Sequence, residues 1–108
     1  MVEYTNDLDL IFASLADSTR RDILGSLKFS EQTISEIAAR YSMSFAAIAK
    51  HIKVLEKANL IIKKKKGRQQ MVAANYSSLK AVEDYLKAYE HLWNERLDRL
   101  DQILTKEE

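Results

Sequence analysis

The 108-residue chain has no cysteine, no proline and only two glycines, Gly25 and Gly67. The missing cysteines exclude a disulfide framework, thiolate metal sites and a thiol redox switch together. Their absence also fits a reducing compartment. No apolar stretch approaches the ~20 residues needed to cross a bilayer, and the N-terminus lacks the basic start and apolar run of a secretory signal. The expectation is a soluble cytoplasmic protein with no membrane partner. With helix breakers so scarce, no linker, repeat or low-complexity segment stands out. The length allows one domain, 1–108, with a core large enough to fold without staples.

The signatures of catalysis are missing as well. The chain has no Gly-rich phosphate loop, no nucleophile–base pair at a familiar spacing and no cluster of metal ligands. No enzyme activity and no cofactor are expected.

The charge is distributed unevenly. The net charge is +1, but residues 1–40 sum to −3, residues 41–76 to +7 and residues 77–108 to −3. A basic middle between acidic flanks suggests one surface meant for a polyanion. A solvated lysine face is the plain alternative, and local structure has to decide between them.

The expected fold is mainly α with a short β-hairpin, about five helices plus a two-stranded wing. Apolar periodicity gives a first helix over Leu8–Ala16. A second opens at Asp17 or Ser18 and runs to about Lys28. Thr33 and Glu36 form a capping box, each able to satisfy the other's free backbone N–H, and start a third helix over Ile34–Tyr41. Ser44 caps a fourth helix, Phe45–Ala58. Leu60–Lys66 and Gln69–Asn75 read as two strands around Gly67-Arg68. A long helix, Leu79–Leu104, follows a Ser77-Ser78 cap.

Helix, short turn, helix and hairpin form the layout in which a second helix enters the DNA major groove while the hairpin flanks it, a winged helix-turn-helix. Rotation of the fourth helix at about 100° per residue sets Ile48, Ile52 and Leu55 inward. Ala46, Lys50, Lys53 and Lys57 then point outward. Small side chains such as Ala46 and Ala49 let the backbone sit deep in a groove, and lysines meet phosphates or guanine edges. Two residues stay open. Phe45 either packs on the third helix or touches a thymine methyl. His51 is either a half-buried structural histidine or a phosphate donor. On the hairpin, Lys63–Lys66 lead to a tip of Gly67, Arg68, Gln69 and Gln70. Strand alternation lets Lys64, Lys66 and Arg68 reach one backbone, with Gln69 and Gln70 able to bond phosphate, sugar or a base edge. A lysine-rich edge that only prevents strand aggregation is the alternative. The last helix carries Leu86, Tyr89, Trp93, Leu97, Leu100 and Leu104 at spacings of three and four, a stripe too long for one small domain to cover. A second copy of the same helix covers it most economically.

Two stretches, Leu15-Ala-Asp-Ser-Thr-Arg-Arg-Asp-Ile-Leu24 and Ser42-Met-Ser-Phe-Ala-Ala-Ile-Ala-Lys-His-Ile-Lys-Val-Leu-Glu-Lys-Ala-Asn-Leu-Ile61, resemble the ArsR/SmtB family of winged-helix repressors. The resemblance covers Leu8 to Leu104. It implies a homodimer joined through the first helix (Leu8, Ile11, Phe12) and the last, bound to an inverted-repeat operator in double-stranded DNA. It places Ser44 and His51 among the DNA contacts. It also resembles a metal-independent subgroup, through Met43-Ser-Phe45 and Arg96-Leu-Asp-Arg-Leu100. Metal-sensing members carry cysteines or Asp/His and His/Glu pairs, and here the last helix has a single histidine, His91, so no metal site is expected. Asn59 stands where the family usually has Gly and tolerates the same left-handed turn. Nothing in the sequence names an effector. A winged helix used only for protein–protein contact is the remaining rival, favoured by Phe45 and disfavoured by the +7 middle.

Overall fold

The computed structural model describes residues 7–106. The elements run α1 (Asp7–Leu15), α2 (Ser18–Ser26), β1 (Gln32–Thr33), α3 (Ile34–Ala38), α4 (Phe45–Lys57), β2 (Ile61–Lys66), β3 (Gln69–Ala74) and α5 (Tyr76–Lys106). The chain divides into two compact units, 1–78 and 79–108. The division falls at Leu79, where the long helix was expected to begin. No helix among the described residues is long and apolar enough to cross a membrane.

In the first unit, α1 ends on arginines from the next helix. Arg20 Nε donates to the Ser14 carbonyl at 2.6 Å, and Arg21 donates to the Leu15 carbonyl at 2.7 Å. The last carbonyls of a helix lack intrahelical partners and carry the negative end of its dipole, so cations satisfy both needs. This is the physical content of the Ser18-Thr-Arg-Arg21 run. α3 opens on the expected capping box: Thr33 Oγ1 accepts from the Glu36 N–H at 3.0 Å, and Glu36 accepts from the Thr33 N–H at 2.8 Å. It stops at Ala38, short of the expected Tyr41. The chain tightens there through Arg40 N–H to Ile37 O and Tyr41 N–H to Ala38 O.

α4 ends in a Schellman turn. The Leu60 N–H reaches the Leu55 carbonyl at 3.0 Å, and the Asn59 N–H reaches the Glu56 carbonyl at 2.9 Å. Asn59 takes φ 61°, the left-handed conformation expected of it, and Leu55 and Leu60, the positions whose apolar side chains commonly accompany such a turn, are both fully buried. Asn75 closes the far side, with its Nδ2 donating to the Asn59 carbonyl and its N–H to the Leu60 carbonyl, each at 2.9 Å.

The hairpin pairs Lys66 with Gln69 across Gly67-Arg68, and Gly67 has φ 63°. Glycine first in a two-residue loop is what a II′ hairpin requires. The sheet has a third strand that the sequence reading did not include. β1 pairs antiparallel with β3, giving the order β1-β3-β2.

The core of this unit gathers Ile23, Leu27, Ile37, Ile48, Ile52, Leu55, Leu60 and Val72, each at most 1% exposed. Each such side chain contributes roughly 1.5–3 kcal/mol by leaving water. Ile11, expected at the interface between copies, is instead 3% exposed inside this core. One turn of α1 has to face α2 and α4, and Ile11 is the residue that does. Phe12 keeps 39% of its surface and Leu8 is half-buried.

The second unit is the body of α5. The helix begins at Tyr76, three residues before the expected start. The Tyr76 hydroxyl donates to the Lys28 carbonyl, and Asn75 Nδ2 lies 3.2 Å from Ser78 Oγ, so the first turn is tied down without the expected Ser77-Ser78 cap.

Candidate nucleic-acid interface

α4 is seated by its apolar stripe. Ile48, Ile52 and Leu55 are 0% exposed, which fixes the rotation of the helix about its axis. Ser44 accepts the Ala47 N–H at 3.1 Å and caps the start. The opposite side carries Ala46, Lys50, Lys53 and Lys57, all exposed, and Ala49 is half-buried beside them. None of these three lysines has an ion-pair partner among the described residues. Phe45 is 55% exposed, so it does not pack into the core through α3.

The start of α4 and the wing tip face each other across a cleft of about 350 Å³. It is lined by Phe45 from α4, by Arg68, Gln69 and Gln70 from the wing, and by Thr33, Ile34 and Ser35 at the start of α3. The fold therefore brings four expected contact residues together and adds the first turn of α3. The sequence signal for that addition was the capping box, which fixes where α3 begins but not what it faces.

Other expected residues are held differently. His51 is half-buried with its ring against α2. Its Nδ1 lies 3.3 Å from an Arg20 terminal nitrogen and 3.6 Å from Asp17 Oδ2. That Asp17 oxygen is buried and has no hydrogen-bond partner, and Asp17 holds the N-cap position of α2 without a side-chain cap bond. On the wing, Lys63 pairs with Glu56 of α4 at 3.1 Å. Lys64 and Lys66 both turn to Glu31, which precedes β1; Lys64 lies 3.9 Å away and Lys66 donates to it directly. The hydrogen bond from Lys66 holds the Glu31 carboxyl below the ordinary carboxylate value. Lys65 and Arg68 have no ion pair among the described residues. Lys65 was not singled out in the sequence, because strand alternation sets it on the face opposite to Lys64 and Lys66.

On α5, Leu86, Tyr89, Leu92, Trp93, Leu97, Leu100, Ile103 and Leu104 are between 45% and 59% exposed. At 1.5 Å per residue the stripe from Leu86 to Leu104 is about 27 Å long. Exposed apolar area on that scale marks an interaction site. No group of three or more His, Asp or Glu side chains able to hold a metal ion occurs among the described residues.

Comparison with known proteins gives one family match: residues 17–63 fit the model of the bacterial regulatory protein, arsR family. An uncharacterized HTH-type transcriptional regulator of Bacillus subtilis, YuzN, is 43% identical over 79 residues, 67% of this chain and 86% of that protein. The transcriptional repressor SdpR of the same organism is 34% identical over 58 residues, 54% of this chain and 64% of that protein. Among solved structures, the crystal structure of an ArsR family transcriptional regulator is 37% identical. It superimposes with a TM-score of 0.75, over 82% of this chain and 98% of that one.

Proposed function

This chain belongs to the ArsR family of bacterial transcriptional regulators, and from that premise we propose that it represses transcription as a homodimer bound to an inverted-repeat operator. The observation that carries the reading is the outward Ala46–Lys50–Lys53 face of α4, on the same helix whose first residue, Phe45, lines a cleft with Arg68, Gln69 and Gln70 of the wing tip. A helix seated on three buried aliphatics presents a fixed edge to a major groove, and the wing tip lies where the flanking backbone would run. Two copies would place two fourth helices in successive major grooves, about 34 Å apart. Ser44, Phe45, Ala46 and Ala49 would line the groove-entering end, where Phe45 and Ala46 offer apolar contact to thymine methyls. Repression is supported by the resemblance to SdpR, a transcriptional repressor.

The second copy is proposed from α5. A stripe of half-exposed Leu, Tyr and Trp is covered most simply by its own copy, which is self-complementary about a two-fold axis. Phe12 and Leu8 of α1 are proposed to join the same contact between copies. Replacing Trp93 and Leu97 by Glu puts unpaired charges into that contact, which is strongly unfavourable. Sedimentation is expected to give a dimer for the wild type and monomer or unfolded chain for the double variant; a stable wild-type monomer at micromolar concentration contradicts the proposal.

The regulator is proposed to act without a metal. Zinc, nickel or cobalt is expected to leave DNA affinity unchanged within about twofold, less than ~0.5 kcal/mol. A stoichiometric site that weakens binding tenfold would overturn this and point first to His91.

Selection of genomic fragments by the purified protein tests the function as a whole. A compact palindrome is the expected product. Recovery of fragments with no shared sequence would leave the protein–protein module in its place.

A further inference from the structure

The wing carries five cations, Lys63, Lys64, Lys65, Lys66 and Arg68, yet two carboxylates occupy three of them. Glu56 belongs to α4 and pairs with Lys63 at the base of the hairpin. Glu31 is different. It comes from the segment before β1, on the opposite edge of the sheet from β2, and it engages two lysines at once. Its side chain is 23% exposed, whereas those of Lys64 and Lys66 remain 53% and 62% exposed. The lysines can therefore leave Glu31 for another anion without any change in the fold.

We propose that Glu31 is a built-in counterion of the wing, competing with the DNA backbone for Lys64 and Lys66 and so holding down sequence-independent affinity. This inference rests on the DNA-binding reading above. A phosphate that takes Lys64 or Lys66 exchanges one lysine–anion pair for another, and it leaves a carboxylate beside the DNA's own negative charge. Non-specific binding is supplied almost wholly by backbone electrostatics, so it bears this penalty in full. The lysines of α4 have no such competitor, so contacts made in the groove are not taxed in the same way.

The test is a titration of a fluorescent random duplex at several salt concentrations with wild type, Glu31→Gln, Lys64→Gln/Lys66→Gln and the triple variant. Exposed ion pairs are individually weak, so Glu31→Gln is expected to tighten random-duplex binding about three- to tenfold per dimer. It should also steepen the log–log salt slope, by up to ~0.9 for each lysine released. In the Lys64→Gln/Lys66→Gln background the same change is expected to do little. A change under twofold, or an equal gain in both backgrounds, overturns the inference and leaves the regulator reading standing. Heparin chromatography reads the same competition without DNA. Glu31→Gln should elute at higher salt than wild type, and only when Lys64 and Lys66 are present. If no variant binds any duplex, the regulator reading falls; co-elution of Glu31→Gln with wild type on heparin overturns the counterion by itself.

Discussion

α4 and the wing are both rich in cations, and they hold them in opposite ways. The three outward lysines of α4 stand on a helix whose far side is buried among aliphatics, and none is paired among the described residues. Three of the wing's five cations lie against Glu56 or Glu31. The helix is fixed in place with its charge free, whereas much of the wing's charge is already occupied. Counting lysines in a sequence treats these regions as equals. For binding, what matters is the charge still available when a polyanion arrives.

The sharpest way to break this comparison is to remove one cation from each region. If Lys50 reads a base edge, Lys50→Ala is expected to cost roughly 1–3 kcal/mol and to relax sequence preference. Arg68→Ala, on the wing tip, is expected to weaken binding to every sequence alike and to flatten the salt slope by about 0.9 per protomer. Titrations on the selected palindrome and on scrambled DNA at several salt concentrations separate the two. If both variants behave identically, the helix and wing do not have distinct roles.

A finer test stays within the wing. Lys65→Gln removes an unpaired cation and should flatten the salt slope measurably, whereas Lys64→Gln removes one already held by Glu31 and should change affinity less than about twofold. Equal losses would mean that the pairing in the free protein is irrelevant once DNA binds.

The smallest effect is expected on the helical side, away from both cation groups. The Tyr41 hydroxyl donates to Asp22, bracing the end of α3 against α2. Its pKa is raised above 10.0, first by burial and then by the bond to Asp22, against the opposing influence of Arg40. The folded chain thus holds this proton more tightly than the unfolded one. That stabilisation is fully present below the unfolded value and is lost as pH rises through the folded value. Thermal melts across the alkaline range should fall more steeply for wild type than for Tyr41→Phe, with DNA affinity at neutral pH unchanged. Parallel alkaline limbs would remove Tyr41 from the stabilising set.

Much of the fold was legible because its signals are local. The Thr33–Glu36 box, the Ser44 cap, the left-handed Asn59 and the Gly67-Arg68 loop each depend on residues a few positions apart, and each occurs where the sequence placed it. What escaped depends on distant partners. β1 is two residues long and has no alternation to betray it; it exists because β3 offers an edge to Gln32 and Thr33. The residues alone leave His51 open and the family resemblance sets it among the DNA contacts, while Asp17 and Arg20, far back in the chain, lie against its Nδ1 edge. Lys64 and Lys66 were chosen by alternation, and Glu31 was invisible to that rule. Ile11 fits an apolar stripe equally well whether the stripe faces a partner or the protomer's own core, and periodicity cannot tell these apart.

The turn at Asn59 has a consequence for how such a protein can diversify. Its carbonyl and that of Leu60 are both bound by Asn75, so the stretch from Asn59 to Asn75, which holds the wing, is closed at its two ends directly after α4. α4 and the wing thus form a single cassette, joined through one left-handed residue and a pair of hydrogen bonds from Asn75. New binding preferences can be written on the exposed positions of that cassette without renegotiating its geometry. An insertion at the turn, by contrast, would disturb helix and wing together.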